Sequence, residues 1–245
     1  MKEDVKYRQD IVHFGKLLHE HGYVAATDGN LSVRLDCQSI LITPTCISKG
    51  MMRPQDLVVV DMQGHKLAGR RSVSSEIAMH LLIYKMRTEV HAVVHAHPPV
   101  ATGYAAAGIS LSPALVCEAV IGLGGVPLAE YATPGTPELA EALGPLIPQH
   151  EAILMANHGV VTYGEDLLHA YMKMELVEHF ARIALVTKLL GQQQLLTTQE
   201  LEELAIARRK YQFAGASVTS ICKRRNHARR SQAKRNFSPY RTESS

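Results

Sequence analysis

The pattern of apolar and polar positions divides the chain into alternating helical and extended stretches. From Lys6 to Gly22, Ile11, Phe14, Leu17 and Leu18 recur at helical spacing, so the first segment reads as an amphipathic helix ending at His-Gly. Asp28-Gly29-Asn30 is a turn signal into an extended run at 31–34, and 39–43, 56–61 and 66–67 read as further short strands, the last two joined by Met62-Gln63-Gly64. Beyond Ser74 the period lengthens. Ile77, Leu81, Leu82 and Met86 predict a helix capped by Ser74 or Ser75, with Glu76 in its first turn.

An alternating strand over 89–97 follows and is stopped by Pro98-Pro99. Helices are expected over 99–107 and after Pro137, on either side of a strand-like stretch at 129–132. A strand at 151–156 turns at Asn157-His158-Gly159 into another at 160–163, before a long helix from about 165 to 190 and a shorter one over about 198–211. Interleaved strands and helices without an internal repeat predict a layered α/β domain.

Composition refines this picture. A chain of 245 residues that is 46% hydrophobic and 20% charged excludes whole-chain disorder, collagen and coiled coil. No run of 18 apolar residues occurs, and the charged opening MKEDVKYRQD does not fit a secretory signal, so a cytoplasmic protein is expected. The formal charge of +3 hides two unlike pieces: residues 216–245 carry eight Lys/Arg against one acid, leaving a body at −4. The domain is therefore placed at 1–215 and a basic tail at 216–245, the latter read as flexible and solvated rather than as a nucleic-acid-binding element. Cys37, Cys46, Cys117 and Cys222 show no C-x-x-C pair and read as free thiols.

Of the 13 histidines, His95 and His97 stand out. Period-two alternation sends both to one face with Cα atoms roughly 6.7 Å apart, a span that one ion can bridge. His91 shares that face but lies about 20 Å from His97, too far for the same ion. A third ligand must come from elsewhere, and His158, at the break of a strand, is the best candidate. His13, His19, His21, His65, His80, His150, His169, His179 and His227 read as surface or packing residues. Lys49 reads as a solvated loop lysine and is not assigned to the site.

Gly29-Asn30, the run Ile42-Thr43-Pro44-Thr45, Ser74-Ser75-Glu76, the VVHAHP run with His95 and His97, and Asn157-His158-Gly159 stand in an order that closely resembles class II aldolases of the fuculose-phosphate type. That family also includes ribulose-phosphate 4-epimerases, methylthioribulose-phosphate dehydratase and the adducin head domain. The resemblance covers about residues 6–212 and implies a three-layer αβα fold with a mainly antiparallel central sheet, assembled as a homotetramer with active sites between subunits. It further implies that His95, His97 and His158 bind Zn2+, that Glu76 is the acid–base group, and that a small phosphorylated sugar is the substrate. Its phosphate would be held by Gly29, Asn30, Thr45, Ser74 and Ser75, with a backbone N–H at Cys46, where the family usually has Gly. A side chain there is expected to narrow the pocket or to disfavour a positive φ.

The resemblance also places Glu118 where fuculose-type aldolases use a tyrosine from a neighbouring subunit, and matches Tyr211 to a C-terminal substrate-side tyrosine. Glu118, between Val116, Cys117, Ala119 and Val120, is expected to be partly desolvated and to act as an acid. The first expectation is an aldolase that cleaves a (deoxy)ketose 1-phosphate. The second, supported by Glu118, is dehydration, 4-epimerisation or decarboxylation on the same scaffold. An adducin-like interaction module without enzymatic activity is the third, and the intact histidines and Glu76 argue against it.

Overall fold

The computed structural model describes residues 2–111 and 113–211. The elements run α1 (Lys2–Glu20), β1 (Asn30–Arg34), β2 (Ser39–Ile42), β3 (Val58–Asp61), β4 (Lys66–Ala68), α2 (Ile77–Met86), β5 (Ala92–Ala96), α3 (Pro99–Ala106), α4 (Cys117–Gly122), β6 (Leu128–Ala129), α5 (Pro137–Leu143), β7 (Ala152–Met155), β8 (Gly159–Gly164), α6 (Leu167–Leu189) and α7 (Thr198–Tyr211). The eight strands form one sheet in the order β4-β3-β2-β1-β5-β8-β7-β6. Every neighbouring pair is antiparallel except β6 and β7, which run parallel.

Helices cover both faces of this sheet. Ile11 and Leu18 of α1, Ala101 and Tyr104 of α3, Ala119 of α4 and the inner stripe of α6 pack on Leu31, Val33, Val94 and Val160. On the opposite face Met79, Ile83 and Tyr84 of α2 and Leu139 and Leu143 of α5 pack on Ile40, Ile42, Val93, Val161 and Tyr163. Covering both faces explains why β2, β5 and β7 are buried at every position, where a one-sided sheet would alternate. Each fully buried Val, Leu or Ile contributes about 1.5–3 kcal/mol to this arrangement. The result is the expected three-layer αβα architecture with a mainly antiparallel sheet.

Three local features depart from the sequence reading. The cap of α2 is Glu76 itself, because Ser74 is spent one turn earlier: its Oγ accepts the Glu76 N–H at 3.3 Å. Residues 117–122 form a helix where the sequence pattern marks none. The strand-like stretch at 129–132 shrinks to the two residues of β6. Among the described residues no helix is long and apolar enough to cross a membrane, and Cys37, Cys46 and Cys117 are free thiols. Cys222 and the basic tail lie outside the described residues.

Candidate active site

The site lies where β1 and β5 meet beneath the start of α2. Antiparallel register sets Asn30 opposite His95, and pleating turns both toward the α2 layer, since Leu31 and Val94 face the other core. His97 follows β5 directly. The tight bend at Asn157, with φ +55°, brings His158 back toward both, and Asn tolerates this left-handed conformation better than most residues.

Gly159 lets β8 close up against β5: a Cβ there would stand 2.5 Å from His97 Cδ2 and 2.7 Å from the Ala96 carbonyl oxygen. Gly29 plays the same part from the other side, at φ +70° and with the place of its missing Cβ 2.7 Å from the His95 carbonyl oxygen.

Three imidazoles converge: His95 and His97 share a face as the alternation predicts, and His158 joins them from the bend at Asn157. One ring nitrogen from each of His95, His97 and His158 lies within 4.8 Å of the other two. His95 Nδ1 is 2.9 Å from the Val160 carbonyl oxygen. A carbonyl only accepts, so Nδ1 carries the hydrogen and Nε2 offers a lone pair. His97 Nδ1 faces Asp28 Oδ2 at 3.4 Å, while His97 Nε2 and His95 Nε2 stand 3.1 Å apart. His91, at the other end of β5, is buried and takes no part in the cluster.

Glu76 spans the cluster. Its Oε2 is 3.2 Å from His95 Nε2 and its Oε1 is 3.2 Å from His158 Nε2. Burial works to raise the Glu76 carboxyl, but the adjacent His95 and His158 imidazoles outweigh it and hold the group well below the usual carboxylate range. Burial works to lower His95, and the facing Glu76 carboxylate raises it. His97 is pushed down to about 4, first by burial and then by the neighbouring His95 and His158 charges.

The donor set fits a divalent transition metal. Imidazole nitrogens suit such ions, and with the His95 hydrogen held on Nδ1 by the Val160 carbonyl, the Nε2 lone pair faces the other two rings. His158 Nδ1 is moreover buried without a hydrogen-bond partner among the described residues, an orphaned polar atom of the kind that calls for an ion or a water.

Beside the triad the segments of the expected phosphate cradle come together. Pro44 bridges Val73, and Thr45 N–H donates to the Ser72 carbonyl at 3.2 Å, which sets Thr45 and Cys46 next to Ser74 and Ser75. Asn30 Nδ2 donates to Glu76 Oε2 at 2.6 Å, tying β1 and Gly29 to the same corner. Cys46 adopts a positive φ of 55° in spite of its side chain, so the glycine-type loop conformation persists.

Lys49 corrects the sequence reading. It is 1% exposed, because its Nζ donates to the Thr27 and Ile47 carbonyls, each at 2.8 Å. Burial brings its ammonium down to about 8. It joins the loop before β1 to the loop after β2 from inside.

Glu118 does not meet the expectation of desolvation within one chain. It stands exposed in the first turn of α4. Val116, Ala119, Val120 and Leu123 repeat at helical spacing and turn inward, which sends Glu118 outward although its sequence neighbours are apolar. Among the described residues it makes no hydrogen bond or ion pair with Glu76 or the histidines. Tyr211 ends α7, and its side chain lies outside the described residues.

The site also holds His80, which the sequence groups with the surface or packing histidines. His80 is fully buried one helical turn from Glu76, and its ring contacts Asn30 and Ser32 of β1. The available signal was its place beside Met79 and Ile83 on the inner stripe of α2, four residues after Glu76.

The profile of the family described as Class II Aldolase and Adducin N-terminal domain matches residues 9–185 of this chain. A 5-deoxy-D-ribulose 1-phosphate aldolase of Bacillus thuringiensis is 34% identical over 201 residues, covering 82% of this chain and 94% of that protein. A 3-oxo-tetronate 4-phosphate decarboxylase of Haemophilus influenzae is 36% identical over 207 residues, covering 82% and 97%. A solved structure of an L-fuculose 1-phosphate aldolase superposes with a TM-score of 0.78 at 36% identity, covering 85% of this chain and 97% of that one.

Proposed function

The chain belongs to the class II aldolase and adducin N-terminal domain family, and from that premise we propose that it is a zinc-dependent aldolase that reversibly cleaves a (deoxy)ketose 1-phosphate, such as fuculose 1-phosphate, to dihydroxyacetone phosphate and an aldehyde. The observation that carries this reading is the convergence of His95, His97 and His158 on one point with the Glu76 carboxylate spanning two of them. His95, His97 and His158 would hold the ion, which when bound supplies Lewis-acid stabilisation of the charge that develops on the ketose oxygens.

The protein's own groups do the rest. In the synthetic direction Glu76 removes a proton from the carbon next to the dihydroxyacetone phosphate carbonyl. In the cleavage direction it returns that proton once the carbon–carbon bond has broken. The phosphate lies against Gly29, Asn30, Thr45, Ser74 and Ser75, with the Cys46 N–H as a backbone donor. Dianion binding is favoured at the start of α2, where amide hydrogens are unpaired within the helix. Among the described residues no further acid–base group stands beside Glu76 to take the hydroxyl proton and release the aldehyde. The reading assigns that work to Glu118 and Tyr211 across a subunit boundary in a homotetramer, which accords with the exposure of Glu118 on a single chain. The cytoplasm is the compartment this reading implies.

One observation favours a second reaction on the same scaffold. The decarboxylase relative is as similar to this chain as the aldolases, so loss of carbon dioxide from a 3-oxo sugar-acid phosphate, or dehydration or epimerisation of a related sugar phosphate, is the alternative. Incubating the zinc-loaded protein with fuculose 1-phosphate, 5-deoxyribulose 1-phosphate and 3-oxo-tetronate 4-phosphate, and identifying products by mass, separates these reactions. Dihydroxyacetone phosphate with a short aldehyde supports the aldolase. Release of carbon dioxide, or a single product keeping every carbon, defeats it.

A further inference from the structure

Behind Glu76, α2 and β1 share a buried polar column. Glu76, His80 and Tyr84 are spaced by four and lie on one stripe of the helix turn, while Asn30, Ser32 and Arg34 alternate along the strand that faces it. All six are at most 9% exposed in an otherwise apolar layer.

Their hydrogen bonds run in one direction. The Glu76 carboxylate only accepts, so the group 2.6 Å from its Oε2 is the Asn30 Nδ2–H. Asn30 Oδ1 then faces His80 Nε2, which must carry the ring hydrogen. His80 Nδ1 is left as an acceptor, and Ser32 Oγ lies 2.6 Å away to donate to it. The Tyr84 hydroxyl is 2.8 Å from Ser32 Oγ and donates in turn. Arg34 closes the column by donating to the Tyr84 carbonyl at 2.6 Å. Burial, with the nearby His95 acting in the same sense, pushes the His80 ring down to about 3, which keeps it neutral.

We propose that His80 is a positioning residue for the reaction: its Nε2–H fixes the Asn30 amide so that Nδ2, and not the amide oxygen, meets Glu76 and holds that carboxylate at the mouth of the triad. With His80 replaced by an apolar group, the Asn30 amide loses the partner that sets its direction. An amide oxygen turned toward Glu76 would repel the carboxylate out of place. A buried network of this kind is expensive to keep compared with apolar packing, and its far end terminates on the residue assigned the proton transfer. The functional half of this inference rests on the role of Glu76 proposed above. The tautomer half does not.

The test therefore has two readouts. Histidine-selective 15N spectra of the zinc-loaded full chain, with His80→Gln as the assignment control, should show His80 as a neutral ring protonated on Nε2 from pH 6 to 9. A ring protonated on Nδ1, or on both nitrogens at neutral pH, overturns the proposal. In turnover, His80→Leu should lower kcat about 10–100-fold with KM within about threefold, part of the roughly 10²–10⁴ that positioned acid–base groups supply. His80→Gln, which retains an N–H near the Nε2 position, should recover most of that loss. Equal loss in both variants, or a loss carried by KM alone, overturns the positioning role. If the Leu variant does not fold, the wild-type spectrum and the Gln variant decide. Glu76→Gln keeps the two readings apart: retained turnover in that variant defeats the role of Glu76, and the His80 spectrum stands on its own.

Discussion

His95 Nδ1 donates to the carbonyl of Val160 at 2.9 Å, so the ring is locked in the tautomer whose Nε2 lone pair faces His97 and His158. The bond crosses from β5 to its neighbour β8, in which His95 stands opposite Val161. The sheet that forms the core thereby also sets the orientation of a candidate ligand, and a backbone partner of this kind fixes ring direction and raises basicity.

The close approach of β8 to β5 can be tested at Gly159. Gly159→Ala places a Cβ 2.5 Å from His97 Cδ2 and 2.7 Å from the Ala96 oxygen. Chelator competition should show metal affinity reduced about 10–100-fold, the range expected when ligand orientation is lost. Unchanged affinity would mean that His97 is not held where the structure puts it.

Much of this site was legible in the sequence, for identifiable reasons. Period two along 91–97 placed His95 and His97 together, and Asn-His-Gly marked the bend that carries His158. The αL backbone of Asn157 bears out that turn. What stayed hidden depends on which elements become neighbours. His80 looks like an ordinary helix residue until β1 lies beneath α2 with Asn30 and Ser32 in register with it. Lys49 looks solvated until the Thr27 carbonyl, 22 residues earlier, folds onto its ammonium. Glu118 has apolar sequence neighbours, but the six-residue α4 turns them to the opposite side, so it stands exposed on a single chain.

The buried His80 gives stability a defined pH dependence. Its folded ring titrates at about 3 against 6.5 for the free side chain. Below pH 6.5 the unfolded chain binds a proton that the folded chain refuses. This contribution is therefore complete above pH 6.5 and shrinks by about 1.4 kcal/mol per pH unit as pH falls toward 3. Urea unfolding should show wild type losing about 2 kcal/mol more than His80→Gln between pH 7 and pH 5. Parallel pH profiles for the two proteins would contradict this.

Glu178 anchors α3, the helix that follows His97. Its carboxylate is fully buried and accepts from Ala101 N–H at 2.9 Å, Val100 N–H at 3.1 Å and Arg182 Nε at 2.9 Å. No side chain of the residue preceding α3 caps that end, so Glu178 from α6 serves there instead. Glu178→Ala should cost about 1–3 kcal/mol in chemical denaturation, since it strands the Ala101 and Val100 N–H donors while Arg182 can turn to solvent. A loss under about 1 kcal/mol would show that α3 is held by other means.

Cys46 sits at φ +55° in the cradle loop. A non-glycine residue there costs about 1–2 kcal/mol, offset in part by the extra freedom glycine has when unfolded. Cys46→Gly should therefore raise stability by about 0.5–1 kcal/mol and leave the metal content unchanged. A destabilised variant would show that the thiol's contact with Thr45 Oγ1, at 3.6 Å, matters more than backbone strain.

The proposed chemistry requires three rings to share one cation, and elemental analysis of the full chain after equilibration with zinc and removal of unbound metal tests that directly. One zinc per chain is predicted for wild type, falling below about a tenth in His158→Ala while circular dichroism shows the fold retained, because the remaining pair forms an incomplete site. A wild-type chain that retains no metal, or a His158→Ala chain that retains a full equivalent, would contradict it.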